Sequence, residues 1–257
     1  MIYELSIEER HKVSKIFDKM EDTMIQSYIE GYMGRAWVDN VENPTVAQIL
    51  VGVFVFFAGD YNKEEAYELI KNIPNEALII VEDYRWGNLI ENIHKGYACK
   101  VKRYAFERNL KNLKVEELRK NIKRLPEGYE IRKIDEEIAY SQSLQELTVD
   151  FTSQFDSIND YLQNGIGYCI IHNGNVVSGA SSYNVYHNGI EIEIDTLPGY
   201  RRKGLAKSVA SALILYCIEN NIYPNWDAAN LESVALAEQL GYVMKKVYDA
   251  YYVEYII

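Results

Sequence analysis

The sequence predicts an α/β protein of two domains. Segments with helix periodicity alternate with segments of strand periodicity in both halves of the 257-residue chain, which is typical of this fold class. A polar and basic segment, "NLKNLKVEELRKNIKRLP" at 109–126, separates the halves and ends at Pro126. We therefore expect an N-terminal α/β domain at 1–108, a connecting helix or linker at 109–126, and a second domain at 127–257.

The first half begins with a predicted helix in "SIEERHKVSKIFDKM", whose apolar residues share one face behind Ser6 as the N-cap. "GRAWVD" and the apolar run "AQILVGVFVFFAG" predict strands that end in a turn at Gly59–Asp60. Farther along, "NKEEAYELIKNI" predicts a short helix closed by Pro74, "EALIIVED" a buried strand, "YRWGNLIENIHKG" a helix and "ACKVKRYAFER" a strand.

The second half begins with a strand in "YEIRKIDEE" and a helix that starts at Asp135. Helical "EIAYSQSLQELTVDF" follows, and a further helix starts at Ser157. A strand meander comes next, with turns at Asn173–Gly174 and Asn188–Gly189, since Asn-Gly pairs are strong hairpin signals. The remaining segments predict a helix at 205–220, a short strand near 222–227, a helix at 231–240 and closing strands in "YVMKKVYDAYYVEYII".

Composition limits what the protein can be. Hydrophobic residues make up 48% of the chain, yet no apolar run is long enough to span a membrane, and "MIYELSIEERHK" lacks the apolar stretch of a signal peptide. The three cysteines, Cys99, Cys169 and Cys217, are widely spaced, which favours reduced thiols in a cytoplasmic protein over disulfides or a zinc site. A net charge of −11 argues against nucleic-acid and membrane partners and favours a cationic partner such as an amine.

The stretch "IEIEIDTLPGYRRKGLAKSVASALI" at 190–214 combines a strand, a basic glycine turn and a helix start, which is a geometry that binds phosphate. A P-loop needs Lys and Ser/Thr after its second glycine, where this chain has Leu205 and Ala206. The G-x-G-x-x-G pattern of dinucleotide-binding proteins is absent. The pattern [QR]-x-x-G-x-[GA] is present and is formed by Arg201, Gly204 and Ala206.

This last pattern resembles the acetyl-CoA loop of the GNAT (GCN5-related) N-acetyltransferases. The later stretch "NWDAANLESVALAEQLGY" resembles the next motif of that family, through Asn230, Ser233 and Leu240-Gly241-Tyr242. The resemblance covers about 127–257, and the whole chain is less specifically similar to the two-part subgroup that includes the zwittermicin-resistance type acetyltransferases. It implies a mixed, mostly antiparallel central sheet flanked by helices, preceded by a smaller N-terminal α/β domain.

The resemblance also implies acetyl-CoA as co-substrate, without a metal. Backbone N–H groups at the start of the helix would bind the pyrophosphate, the basic triplet would add charge, and the preceding strand would pair with the pantetheine arm. Asn230 and Ser233 would contact the thioester end, although helix capping explains both residues equally well. The cofactor-binding residues expected in this way are Ile194, Asp195, Thr196, Leu197, Arg201, Arg202, Lys203, Gly204, Leu205, Ala206, Lys207, Asn230 and Ser233.

The strand before the loop carries Glu191, Glu193 and Asp195 on one face. An amine must lose a proton before it attacks a thioester, and a carboxylate is a suitable base. Glu193 is the first candidate and Glu191 the second; a solvated edge is the alternative. Many GNAT members supply a tyrosine as the general acid seven residues after the motif asparagine, but that position here is Ala237, which leaves the acid unassigned.

We therefore expect an acetyltransferase that moves an acetyl group to a primary amine of a small molecule, by direct attack in a ternary complex. Two other classes stay open at this point, a non-catalytic acyl-CoA-binding or regulatory module and a protein or peptide N-acetyltransferase. We expect the N-terminal domain either to close over the acceptor site or to pair with a second subunit in a homodimer.

Overall fold

The computed structural model describes residues 1–255. By its internal contacts the chain forms two compact units, one of residues 1–103 with the segment from Val247 onward, and one of Tyr104–Lys246. The sequence placed all of 127–257 in the second domain, whereas the C-terminal strand lies in the first unit. The reason is strand pairing, since Tyr251 and Val253 lie opposite Ile79 and Ala77 in an antiparallel ladder. The last two positions of the predicted closing strand, 256–257, lie outside the described residues.

The first unit is a sheet covered by helices. Its strands run in the order β1-β2-β3-β4-β5-β13-β6. Its elements are β1 (Tyr3–Glu4), a 3₁₀ helix (Ile7–Val13), α1 (Thr23–Glu30), β2 (Arg35–Val38), β3 (Val46–Val51), β4 (Phe54–Gly59), α2 (Glu64–Lys71), β5 (Glu76–Ile80), α3 (Tyr84–Ile93), β6 (Ala98–Phe106) and β13 (Met244–Glu254).

Two segments of the first unit differ from the sequence prediction. The N-terminal helical pattern forms the short 3₁₀ helix and then α1, which begins only after the N-cap Asp22. The apolar run "AQILVGVFVFFAG" forms the two antiparallel strands β3 and β4, because Gly52 has a φ of 59° and turns the chain. Both strands are nearly fully buried, so the run has no polar alternation that could mark the turn.

A cluster of buried side chains forms the core of the first unit. The rings of Phe57 and Trp86 stack with their centroids 5.4 Å apart. Leu69 and Ile70 of α2 and Ile90 of α3 are fully buried in the same cluster. Helices α2 and α3 therefore attach to the sheet through one apolar face, which leaves their charged residues in solvent.

The second unit is built on a five-stranded sheet in the order β11-β10-β9-β8-β7. Every neighbouring pair is antiparallel except β10 and β11, which are parallel. Its further elements are a 3₁₀ helix (Leu110–Asn112), α4 (Val115–Lys123), β7 (Tyr129–Lys133), α5 (Glu136–Ala139), α6 (Gln142–Leu147), α7 (Ile158–Asn164), β8 (Gly167–His172), β9 (Asn175–Tyr186), β10 (Gly189–Thr196), a 3₁₀ turn (Pro198–Tyr200), α8 (Leu205–Glu219), β11 (Tyr223–Asn225), β12 (Asp227–Ala228) and α9 (Leu231–Leu240).

Local sequence signals explain much of this unit. The two predicted Asn-Gly turns connect β8 to β9 and β9 to β10, and Asn173 and Asn188 have the positive φ that such turns need. Asp135, Ser141 and Ser157 cap α5, α6 and α7 through their side chains. The meander and the helix starts are thus specified by residues close in sequence.

Helix α8 is apolar over most of its surface and lies buried in the second unit. Its Ser208 and Ser211 contact α4, where the Ser208 hydroxyl donates to the Asn121 carbonyl (3.0 Å) and the Asn121 amide donates to the Ser211 hydroxyl (3.2 Å). Within residues 1–255, no helix has the length and apolar character that crossing a membrane requires.

Candidate active site

Strands β10 and β11, at one edge of the five-stranded sheet, separate after a short parallel pairing. Their parallel pairing covers Gly189 to Glu191 of β10 and ends at Asn225 of β11. The pairing of β10 with β9 continues to Thr196. After Asn225 the chain turns away, and β12 pairs with the end of β6. The two parallel strands therefore diverge at Glu191, and this point also coincides with a β-bulge in the pairing between β9 and β10.

The turn after β10 leads into α8 through two residues with left-handed backbone. Arg202 has a φ of 61° and Gly204, the N-cap of α8, has a φ of 79°. Among the residues that the structure describes, no side chain caps α8. The first N–H groups of a helix lack partners within it and carry the positive end of its dipole. A Cβ atom built on Gly204 would meet nothing within 4 Å, so the space beside this residue is open.

Arg201 connects the turn to the end of β10. Its Nε atom donates to the Thr196 carbonyl oxygen at 3.0 Å, and its guanidinium lies 3.9 Å from the Asp195 carboxylate. The side chain is 60% exposed, so part of the guanidinium faces solvent. Arg201 thus has a structural role in addition to its charge. Lys203 places its ammonium 4.9 Å above the ring of Tyr200 in the same turn.

Aromatic side chains pack against the turn that follows β10. Tyr129 and His172 stack with ring centroids 4.2 Å apart, and Tyr200 contacts both rings edge-on. The Tyr200 hydroxyl lies 3.3 Å from His172 Nδ1. Because Tyr200 belongs to the 3₁₀ turn, these contacts hold the chain that presents Gly204.

The acids of β10 differ in their surroundings. Glu191 is only 7% exposed, whereas Glu193 and Asp195 are partly exposed. The Asn225 amide donates to Glu191 Oε2 at 2.6 Å across the parallel pair. Arg108, which follows β6, donates from Nε to Asn225 Oδ1 at 3.2 Å. Neither Asn225 nor Arg108 was predicted as a site residue, because the two lie far apart in the chain and no local sequence pattern marks them.

Two tyrosines lie close to this group. The Tyr223 hydroxyl donates to the Glu107 carbonyl at 3.0 Å, and the Tyr242 hydroxyl donates to the Pro224 carbonyl at 2.7 Å. Burial raises the pKa of Tyr223 to about 12 and the pKa of Tyr242 well above its ordinary value, and the nearby Glu191 charge acts in the same direction. Both hydroxyls therefore stay protonated at neutral pH and remain hydrogen-bond donors.

The second motif caps a helix. Asn230 Oδ1 accepts from the Ser233 backbone N–H at 2.9 Å at the start of α9, and the Ser233 hydroxyl accepts from Trp226 Nε1 at 3.1 Å. At the other end of α9, Gly241 has a φ of 107°, and a Cβ atom there would lie 2.5 Å from the Asn112 carbonyl oxygen. Ala237 is fully buried. Capping by Asn230 is thus present, which leaves a contact with the cofactor as a prediction.

The family model for GNAT acetyltransferase matches residues 14–251. The chain belongs to the GNAT acetyltransferase family. This GNAT protein is therefore an acyltransferase, as the sequence predicted, and its mixed, mostly antiparallel sheets flanked by helices confirm the predicted fold class. The match also covers most of the first unit, so the family resemblance extends well beyond the two motifs.

Similar proteins agree with this assignment. The "Uncharacterized N-acetyltransferase YdfB" of Bacillus subtilis (strain 168) is 30% identical over an alignment of 206 residues, which covers 77% of this chain and 76% of YdfB. A GCN5-related N-acetyltransferase-like protein from Streptococcus suis 89/1591 has a crystal structure with a TM-score of 0.88 and 34% identity, covering 96% of this chain and 99% of that one. A tandem GNAT protein from the clavulanic acid biosynthesis pathway shares the fold at 12% identity, with a TM-score of 0.60 over 98% of this chain and 97% of its own.

In this GNAT protein the predicted loop residues 201–207 lie together between the end of β10 and the first turn of α8. The strand residues 194–197 lie beyond the point where β11 ends its pairing, and the acids Glu191 and Glu193 are on either side of that point. In the described part of the chain, no three His, Cys, Asp or Glu side chains are grouped as a metal site would need.

Proposed function

We propose that the protein transfers an acetyl group from acetyl-CoA to a primary amine of a small molecule. The observation that carries this proposal is the uncapped, open start of α8 beside the point where β10 and β11 separate. An open helix N-terminus suits an anion such as a pyrophosphate, and separated strands suit an extended arm.

The turn and the helix start would hold the pyrophosphate. Backbone N–H groups from Lys203 to Lys207, including those of Leu205 and Ala206, would donate to its oxygens. Gly204 keeps the approach open, since no neighbouring atom fills the space where its Cβ would be. Arg201, Arg202 and Lys203 would add positive charge at the turn of a chain whose net charge is −11.

The strand residues Ile194, Asp195, Thr196 and Leu197 would pair with the pantetheine arm. This assignment is supported by the register, because β11 stops pairing with β10 at Glu191 while β9 pairs as far as Thr196. Asn230 and Ser233 at the start of α9 would contact the arm near its thioester end. Their capping contacts are compatible with this role, since an amide and a hydroxyl each have more than one hydrogen-bonding position.

A carboxylate of β10, Glu193 or Glu191, would accept the proton of the incoming ammonium. The neutral amine would then form an N–C bond with the acetyl carbon while the C–S bond breaks. The sulfur would leave as a thiolate with the bonding electron pair, and the new amide nitrogen would release its second proton to solvent. Because Ala237 is buried and carries no acidic group, the leaving sulfur would take its proton from solvent. The acidity of the chain favours a cationic acceptor, and the name of the similar protein YdfB, an N-acetyltransferase, supports nitrogen as the acceptor atom.

Calorimetry with acetyl-CoA tests the binding part of the proposal. Gly204→Glu places a side chain and a negative charge at the helix start, so we expect the affinity to fall by at least about a hundredfold. Gly96→Glu is the matched control, because Gly96 has a similar φ of 89° and also has nothing within 4 Å of a built Cβ. Equal affinity of the two variants would overturn the pyrophosphate assignment.

Release of free thiol from acetyl-CoA tests the reaction. We expect turnover with small primary amines in a broad panel, and slower turnover with peptides that present a lysine or an N-terminus. Faster turnover with peptides would replace the small-molecule acceptor by a polypeptide. Binding of acetyl-CoA without turnover of any amine would indicate a binding module instead of an enzyme acting on amines.

A further inference from the structure

We propose that Asn225, itself oriented by Arg108, positions Glu191 as the proton acceptor of the reaction. The inference rests on the proposed function and extends it, because it selects one of the two strand acids and assigns a role to two residues outside the family motifs. Asn225 and Arg108 would act through Glu191, and neither is required to touch the amine.

Glu191 lies where the pairing between β10 and β11 ends. It is the last residue of β10 that pairs with β11, and Asn225 is its partner directly across the parallel pair. The carboxylate therefore lies at the point where the two strands begin to separate, beside the path proposed for the thioester. At 7% exposure the side chain is withdrawn from bulk water, whereas Glu193 is more open.

The hydrogen bonds from Arg108 to Asn225 and from Asn225 to Glu191 each have a fixed direction. A guanidinium can only donate, and an ionised carboxylate can only accept. Arg108 Nε at 3.2 Å therefore requires the oxygen of the Asn225 amide on its side, which places the amide nitrogen against Glu191 Oε2 at 2.6 Å. The orientation of the amide follows from this chemistry, and the amide donates to Oε2 of the carboxylate.

Tyrosine hydroxyls hold the backbone next to the two positioning residues, Asn225 and Arg108. The Tyr242 hydroxyl binds the carbonyl of Pro224, directly before Asn225, and the Tyr223 hydroxyl binds the carbonyl of Glu107, directly before Arg108. Arg108 also lies with its guanidinium carbon 5.7 Å from the ring centre of Tyr186. The backbone before Asn225 and before Arg108 is thus held in place by hydrogen bonds, which reduces the conformational freedom of the Asn225 amide and of the Arg108 guanidinium.

The surroundings contain few groups that change charge near neutral pH. Burial raises the pKa of Tyr186, Tyr223 and Tyr242, so these hydroxyls stay neutral. The groups that face this carboxylate, or share its strand face, are Arg108 after β6, Tyr186 on β9, Glu193 on β10, Tyr223 and Asn225 on β11, and Tyr242 after α9.

Substitutions at Asn225 test the proposal through pH dependence. Asn225→Ala removes the donor to the carboxylate, and we expect the turnover number to fall about tenfold while the affinity for acetyl-CoA stays unchanged. Asn225→Asp places a second carboxylate next to that of Glu191, and the repulsion favours protonation. The pH at which the rate falls on the acid side of its profile should therefore rise by about one unit or more. Asn225→Gln, which keeps an amide, should restore part of the rate, and Asn175→Asp at the exposed start of β9 is the charge-matched control.

A measurement without turnover completes the test. Carbon-13 labelling of glutamate side chains, with Glu191→Gln to assign the resonance, follows the titration of this carboxyl by NMR. The proposal expects that titration and the acid limb of the rate to move together in Asn225→Ala and Asn225→Asp, and to stay in place in Asn175→Asp.

The outcomes separate the two proposals. If the carboxyl titration moves but the rate profile does not, Glu191 is not the proton acceptor, and the acetyl transfer itself still stands. If the titration of the Glu191 carboxyl is the same in the wild type and in the Asn225 variants, the positioning role of Asn225 is overturned. If the wild-type protein acetylates no amine at all, the proposed function fails and this inference fails with it.

Discussion

Asp39 in the first unit allows a quantitative prediction about stability. Its side chain is 4% exposed and accepts hydrogen bonds from Lys63 Nζ (2.6 Å), from the backbone and hydroxyl of Thr45 (each 2.8 Å) and from the Val46 backbone (3.2 Å). Burial alone would raise the pKa of this carboxyl, but Lys63 and the bonds from Thr45 and Val46 outweigh burial and lower it to about 2. The ionised carboxylate therefore stabilises the turn between β2 and β3 more than the protonated form does.

The sign of the effect follows from linkage. A carboxyl whose pKa is lower in the folded protein than in the unfolded chain stabilises the fold above its unfolded pKa, and this contribution disappears as the pH falls through the folded pKa. The lowering from 3.8 to about 2 corresponds to about 2 kcal/mol at neutral pH. About half of this is lost by pH 3, because Asp39 is then largely protonated in the unfolded chain but still ionised in the folded protein.

Urea unfolding of the wild type and Asp39→Asn at pH 6 and pH 3 tests this magnitude. We expect the difference in unfolding free energy between the two proteins to be about 1 kcal/mol smaller at pH 3 than at pH 6. Asp60→Asn is the control, because Asp60 is exposed and its side chain accepts hydrogen bonds from Asn62 within the same turn. A difference for Asp39→Asn that is the same at both pH values would refute the reasoning.

Further predictions concern packing, capping and thiol reactivity. Gly179→Ala should lower the unfolding free energy by about 1–3 kcal/mol in chemical denaturation, because its Cβ would lie 2.3 Å from the Phe151 ring; a neutral effect would contradict the close packing. Asn230→Ala should cost about 1 kcal/mol in the same assay and Asn230→Asp much less, and equal losses would rule out side-chain capping of α9 as the cause. Cys99 alone should react quickly with a thiol reagent in the native protein, since Cys169 and Cys217 are buried with pKa values raised to about 12; rapid reaction of a second thiol before unfolding would contradict this.

Several features that depend on neighbours in sequence were predicted correctly. The Asn-Gly turns around β9, the start of α8 after Gly204 and the capping of α9 by Asn230 were all predicted from short patterns. Each depends on backbone conformation or on a hydrogen bond between residues a few positions apart. The family resemblance came from the same stretches, because the chemistry of binding a pyrophosphate needs a glycine and a helix start in immediate succession.

Other features escaped prediction, some of them because they depend on residues far apart in sequence. The run around Gly52 is apolar throughout, so its division into β3 and β4 became visible only when both strands were buried in one sheet. The C-terminal strand belongs to the first unit because its partner β5 lies there. The sequence of a strand does not specify which other strand it pairs with.

The sequence by itself determined the family, the fold class and the turn from β10 into α8, since these follow from local patterns of glycine, charge and periodicity. Only the tertiary structure decided which of the strand acids is buried and what holds it. Arg108, Glu191 and Asn225 meet because β10 and β11 pair in one parallel register and the segment after β6 lies beside them. That register depends on the packing of the whole sheet, and no short stretch of the chain contains it.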